Sequence, residues 1–184
     1  MKKWIISMMA VATLLLAGSA LADGSITLSP DGSTSTDASV RIDGQTVTIT
    51  QAGTYQIAGT LDDGALIVES GENAKITLVL GGVSIKNTTG AAIQIATADD
   101  VTIELSEGTT NVLQSGEEVD IATATEREEA SGGALQSKAD LKIKGKGSLT
   151  VLGYLNNGIH CERPENQERQ YQRDCTGARH QGQE

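Results

Sequence analysis

Between Asp23 and His160 apolar and polar residues alternate in short runs, each closed by Gly, Asn or Asp. "TYQIAGTLDDGALIV", "GVSIKNTTGAAIQI", "TNVLQSG" with "SGGAL", and "SLTVLGYLNNGI" each pair one alternating stretch with a turn and a second apolar position. A period of two in stretches rich in Ile, Val and Thr predicts strands, because alternate side chains of a strand fall on opposite faces. No stretch of this region carries the three-to-four-residue apolar spacing of a helix.

The stretches repeat. Ile57, Ile85, Leu113 and Val151 mark the first strand of each unit, at spacings of 28, 28 and 38. Ile85 to Ile93 and Val151 to Ile159 are both steps of 8, whereas Leu113 to Leu135 is a step of 22, so an insertion at about 114–131 accounts for the long third spacing. A third strand follows in each unit, as "KITLVL", "DVTIEL" and "DLKIKG". Three short strands per unit predict an all-β solenoid, a parallel β-helix whose rungs stack like residues into columns. One rung buries too little apolar surface to stand alone, and the stack supplies the core. A β-sandwich also uses short strands, but its hairpins would not repeat three strands at a constant column spacing.

The end of the chain breaks the pattern. After Cys161 there is no Val, Ile, Leu or Lys, and Gln and Arg take over. Back-translated and read one base later, "CERPENQERQYQRDCTGARHQGQE" accommodates "AKDLKIKSGNISVTALEHGIKGK", which mirrors "KADLKIKGKGSLT". Residues 161–184 are therefore expected to be an out-of-frame, disordered tail, and the β-helix to be incomplete at its C-terminus. Cys161, Tyr171, Cys175 and His180 accordingly carry no disulfide, stacking or metal role in this reading.

At the other end, "MKK", the apolar "WIISMMAVATLLLAG" and the closing "SALA" read as a signal peptide, 1–22, cleaved after Ala22. Export follows, to the extracellular space or cell surface. From Asp23 to His160, 8 Lys and Arg stand against 19 Asp and Glu, a net charge of −11. That balance repels nucleic acid and anionic membranes and suits cations or cation-bridged ligands. The same span holds no Cys. Its stability has to come from burial, hydrogen bonds or metal.

"GTYQIAGTLDDGALIV", "AKITLVLGGVSIKNTTGAAI" and "GGALQSKADLKIKGKGSLTVLGYLNNGI" resemble the secreted bacterial carbohydrate-binding β-helix family, carried by proteins described only as containing a carbohydrate-binding domain. The resemblance runs from about Val47 to His160. It implies a right-handed parallel β-helix, similar in shape to pectate lyases, that binds plant cell-wall polysaccharide such as cellulose or acidic pectin without cleaving it, with calcium sites. The family continues for several further rungs, so the chain is expected to be an N-terminal part.

Catalysis is not expected. A lyase needs a carboxylate-held calcium beside an Arg or Lys base, and Arg41 and Arg127 sit in no recognisable motif, the first in an N-terminal cap and the second in the insertion. Nor is there a nucleophile elbow, phosphate loop or His cluster. Aromatic stacking is scarce too. Trp4 leaves with the signal peptide, and Tyr55 and Tyr154 fall at alternating positions that suit packing between rungs. Polar and calcium-assisted contacts with acidic sugars are the binding chemistry left, with polysaccharide as the partner. The rival readings are a structural surface or adhesin solenoid and a fragment of a polysaccharide lyase. Within the insertion, Glu117, Glu118, Asp120, Glu126, Glu128 and Glu129 form either a solvated loop or part of a binding face.

Acids also recur at strand starts. Asp62 and Asp63 precede "GALIV", Asp99 and Asp100 precede "VTIEL", and Asp140 precedes "LKIKG". Each suits a turn by bonding its own backbone. Stacked at one corner, Asp99, Asp100 and Asp140 are also candidate ligands for one calcium ion, with Glu104 as an outer ligand.

Overall fold

The computed structural model describes residues 24–117, 133–154 and 157–162. Among the described residues every regular element is a strand. Residues β-branched at alternate positions and Gly at the bends leave no segment suited to a helix.

The strands are β1 (Gly24–Leu28), β2 (Thr34–Ser35), β3 (Val40–Asp43), β4 (Thr46–Ile49), β5 (Gly53–Leu61), β6 (Ala65–Glu69), β7 (Lys75–Asn87), β8 (Ile93–Thr97), β9 (Asp100–Leu105), β10 (Thr110–Ser115), β11 (Gly133–Ser137), β12 (Asp140–Gly145), β13 (Ser148–Gly153) and β14 (Asn157–Cys161). They form two mixed sheets. One runs β12-β9-β7-β5-β1-β2, with β10 paired to both β7 and β13, and the other runs β14-β11-β8-β6-β4-β3. The only antiparallel pairs among the described strands are β1 with β2 and β3 with β4, at the N-terminal edge. All other pairs join strands of successive units in parallel.

The parallel register stacks like on like. Val47, Leu66, Ile93, Leu135 and Ile159 are successive partners in one sheet. Tyr55, Leu78, Ile103 and Ile143 are successive partners in the other. Val47, Leu66, Ile93 and Leu135 of the first column and Tyr55, Leu78 and Ile103 of the second are fully buried, so the body of each column is a continuous apolar stack. Burying one such side chain contributes about 1.5–3 kcal/mol, which explains why the stack, not any single unit, holds the fold.

One expected column is corrected. The partners of Ile85, Leu113 and Val151 continue through Leu61, not Ile57. Ile57 stacks on Ile26 and Leu80 instead. The cause is a register shift between Ile57 and Gly59, where β5 bends from one ladder into the next. Gly59 takes φ +106° there, and a Cβ would run into the Leu28 carbonyl of the preceding unit.

The ordered chain also passes the boundary expected at His160. Cys161 is the register partner of Ser137 and packs against the core, and the Glu162 amide donates to the Ser137 carbonyl at 2.7 Å. Ladder hydrogen bonds join backbone to backbone, so the pairing persists whatever side chains follow. The signal peptide expected at 1–22, and Tyr171, Cys175 and His180 of the expected tail, lie outside the described residues.

Candidate functional site

A strand that buries alternate residues must present the others, and stacking turns those into outward columns. On β5, β7, β9 and β12 the outward partners are Thr54, Thr77, Thr102 and Lys142 in one column and Gln56, Val79, Glu104 and Lys144 in the next. Their strands are about 4.8 Å apart. Thr54, Thr77 and Thr102 are half-buried, while Lys142 and Lys144 are exposed. Lys144 Nζ lies 3.0 Å from Glu104 Oε2 across the column. The result is a largely polar outward face whose last described strand carries two lysines. Lys138 and Lys146 flank β12, each with an acidic neighbour, Glu162 at 3.6 Å and Glu107 at 3.2 Å.

No signal in composition points to this face. It is visible only once "KITLVL", "DVTIEL" and "DLKIKG" are laid in register. It also lacks an aromatic platform. Tyr55 is buried, its hydroxyl donating to the Gln51 carbonyl at 3.0 Å and lying 2.9 Å from Ser39 Oγ, so it packs the N-terminal core. Tyr154 is half-buried at the bend after β13, its amide donating to the Ser115 carbonyl at 2.8 Å.

The acids singled out in the sequence meet in part. Asp100 and Asp140 are direct register partners at the starts of β9 and β12, and the Asp140 amide donates to the Asp99 carbonyl at 3.2 Å. On its other side Asp100 has Lys75 as partner, so a cation of the protein's own stands at the same corner. Glu104 is four residues further along β9 and engaged with Lys144. That places it beside Lys144 on the outward face, away from the corner. Among the described residues no group of three or more His, Cys, Asp or Glu is arranged to hold a metal ion.

Asp63 serves a turn. Its Oδ1 accepts from both the amide and the hydroxyl of Thr88 at 2.9 Å, tying one unit to the next. Those two donors hold its carboxyl below the usual aspartate range. Asp62 and Asp63 amides both donate to Gln45 Oε1, at 2.9 and 3.2 Å. Nearby, Glu117 at the mouth of the insertion bonds Lys86 at 2.8 Å and raises its pKa. Glu118, Asp120, Glu126, Arg127, Glu128 and Glu129 lie outside the described residues. Arg41 is exposed on β3, at the N-terminal edge of the second sheet.

Comparison with known proteins bears on what this face does. The sequence pattern of a family described as carbohydrate-binding domain-containing protein matches residues 43–163. A relative with the same description, from Acetivibrio thermocellus, is 34% identical over 175 residues, which are 86% of this chain and 59% of that one. A solved structure, described as the polysaccharide lyase-like protein from C. thermocellum in a gadolinium derivative, is similar with a TM-score of 0.65 and 34% identity. It covers 75% of this chain and 55% of its own. The chain thus spans somewhat over half the length of the relatives it matches.

Proposed function

This chain belongs to the family of carbohydrate-binding domain-containing proteins, and on that premise we propose that it binds an acidic plant cell-wall polysaccharide, without cleaving it, along the outward face of the first sheet. The observation that carries this reading is the column Thr54, Thr77, Thr102 and Lys142 beside Gln56, Val79, Glu104 and Lys144. Hydroxyls, an amide and charges repeated at strand spacing suit an extended chain of sugar units that must be met at regular intervals. The two exposed lysines suit carboxylates on that chain. With Tyr55 buried, ring stacking contributes little, which favours a pectin-type ligand over neutral cellulose.

The parallel ladders support a finer reading of the fold, a right-handed parallel β-helix forming one domain over about 23–160, exported by the leader at 1–22 and acting outside the cell or at its surface. Non-catalytic binding is favoured over lyase chemistry by the description of the family as carbohydrate-binding. Calcium assistance belongs to the Asp99, Asp100 and Asp140 corner. Two carboxylates in register with water completing the shell would hold the ion weakly, in the millimolar range of extracellular modules.

Retention of the full chain on insoluble polygalacturonate and on cellulose tests the reading. Retention on polygalacturonate alone is expected. Equal retention on both would overturn the acidic preference, and retention on neither would leave a structural surface role.

A further inference from the structure

β3 is the outermost strand of the second sheet. Among the described strands it pairs with β4 alone, and Arg41, Ile42 and Asp43 are exposed along it. Ile42 is the one exposed large aliphatic side chain among the described residues, at 38%. The direction of its backbone groups follows from the turn. A two-residue loop, Gly44 with φ +57° and Gln45, closes the hairpin, and such a loop makes the flanking pair, Asp43 with Thr46, a hydrogen-bonded one. Alternation makes Arg41 with Thr48 the next such pair, and the Thr50 amide, on the same side of β4, donates to the Ser39 carbonyl at 3.0 Å. Ile42 therefore aims its N–H and C=O away from β4, along the outer edge.

We infer that this edge pairs antiparallel with the same edge of a second copy, about a two-fold axis at Ile42. In that register the two Ile42 residues exchange both backbone hydrogen bonds, and their side chains form a cross-strand apolar pair. Arg41 of each copy stands directly opposite Asp43 of the other, at the non-hydrogen-bonded position where side chains come closest. Among the described residues neither Arg41 nor Asp43 is in an ion pair, so each copy brings the charge that the other's edge needs. Centring the axis on Arg41 or on Asp43 instead sets like charge opposite like. The strand is thus self-complementary in one register, as a two-fold contact requires. The inference does not depend on what the first sheet binds. A contact of one short strand lies at the weak end of protein interfaces, so the dimer is expected at concentrations on the order of 100 μM.

Analytical ultracentrifugation of the full chain over a concentration series tests it, with Arg41→Asp and Asp43→Arg made in separate proteins. The parent chain is expected to pass from monomer to dimer and no further. Each single variant sets like charges opposite each other in its own dimer and should associate at least about tenfold more weakly. An equimolar mixture of the two variants restores both opposite-charge pairs and should dimerise as the parent does. Both positions are exposed, and an unchanged thermal midpoint in each variant reports that the body is folded. A parent chain that stays monomeric at about ten times the expected concentration, single variants that associate as well as the parent, or a mixture no better than its components would overturn the inference. So would assembly beyond the dimer, which would assign the contact to another surface.

Discussion

Asn111 Nδ2 donates to the Ser148 carbonyl at 3.0 Å, across 37 residues, while its Oδ1 accepts from the amides of Gly82 and Val83 at 3.1 and 2.9 Å. One fully buried side chain therefore clamps three successive units where β7, β10 and β13 begin their shared ladder. Thr109 Oγ1 accepts its remaining proton at 3.2 Å. Asn111→Ala strands two amide donors and a carbonyl, so a loss of about 3 kcal/mol is expected. Denaturant unfolding measures it. A change under about 0.5 kcal/mol, the range of an ordinary surface substitution, would contradict the clamp.

Ser115, four residues along the same strand, presents the opposite case. Its Oγ is buried and has no hydrogen-bond partner among the described residues, whereas the equally buried Ser137 donates to the Ala139 carbonyl at 2.8 Å. A buried hydroxyl without a partner opposes folding. Ser115→Ala is therefore expected to hold or raise stability, by up to about 1 kcal/mol, and Ser137→Ala to lower it. Loss of stability in Ser115→Ala would show that the hydroxyl has a partner.

The turn bond from Thr88 to Asp63 gives a pH signature. The bond holds the Asp63 carboxyl below its ordinary value. Its contribution is thus fully present above that ordinary value, about 3.9, and is lost as pH falls through the lower folded-state value. Asp63→Ala should lower the thermal midpoint at neutral pH, and the gap to the parent chain should narrow in acid. A gap that persists undiminished well below pH 3 would rule the bond out as its source.

What the sequence made legible follows from what a strand alternation can and cannot encode. The third strands "KITLVL", "DVTIEL" and "DLKIKG" start on Lys75, Asp100 and Asp140, and these three residues are register partners, because three unbroken strands of equal pattern align in only one way. The Ile57 column was not legible. β5 and β7 run straight through a bend, at Gly59 and at Gly82 with φ +92°, and a periodicity count cannot see a bulge that changes register within a strand. The outward face was hidden for another reason. Thr77, Thr102, Lys142 and Lys144 are ordinary solvent-facing residues one strand at a time, and they become a surface only by stacking. Asn111 is one polar residue at a strand start in the sequence, and only the stacking makes it a buried clamp.

The Asp100 and Asp140 pair carries the calcium proposal. Like charges in register repel, and a shared cation would turn that repulsion into ligation. Millimolar calcium is expected to raise the thermal midpoint more than magnesium does, because calcium accepts irregular oxygen sets that magnesium rejects. Asp100→Asn with Asp140→Asn should erase the difference. A midpoint indifferent to calcium and to chelator would remove the metal from the account.

Polysaccharide binding on the outward face of the first sheet is the central proposal. Lys142 and Lys144 are exposed, and Lys144 gives up only a surface ion pair with Glu104, so Lys142→Gln with Lys144→Gln should leave the thermal midpoint nearly unchanged. Calorimetric titration of the full chain and of this double variant with soluble polygalacturonate, at low and high salt, is the most direct measurement. The account predicts binding by the parent chain that weakens with salt, and at least about a tenfold loss in the variant, the equivalent of about 1.4 kcal/mol. Equal affinity in the two proteins, or binding indifferent to salt, would contradict it.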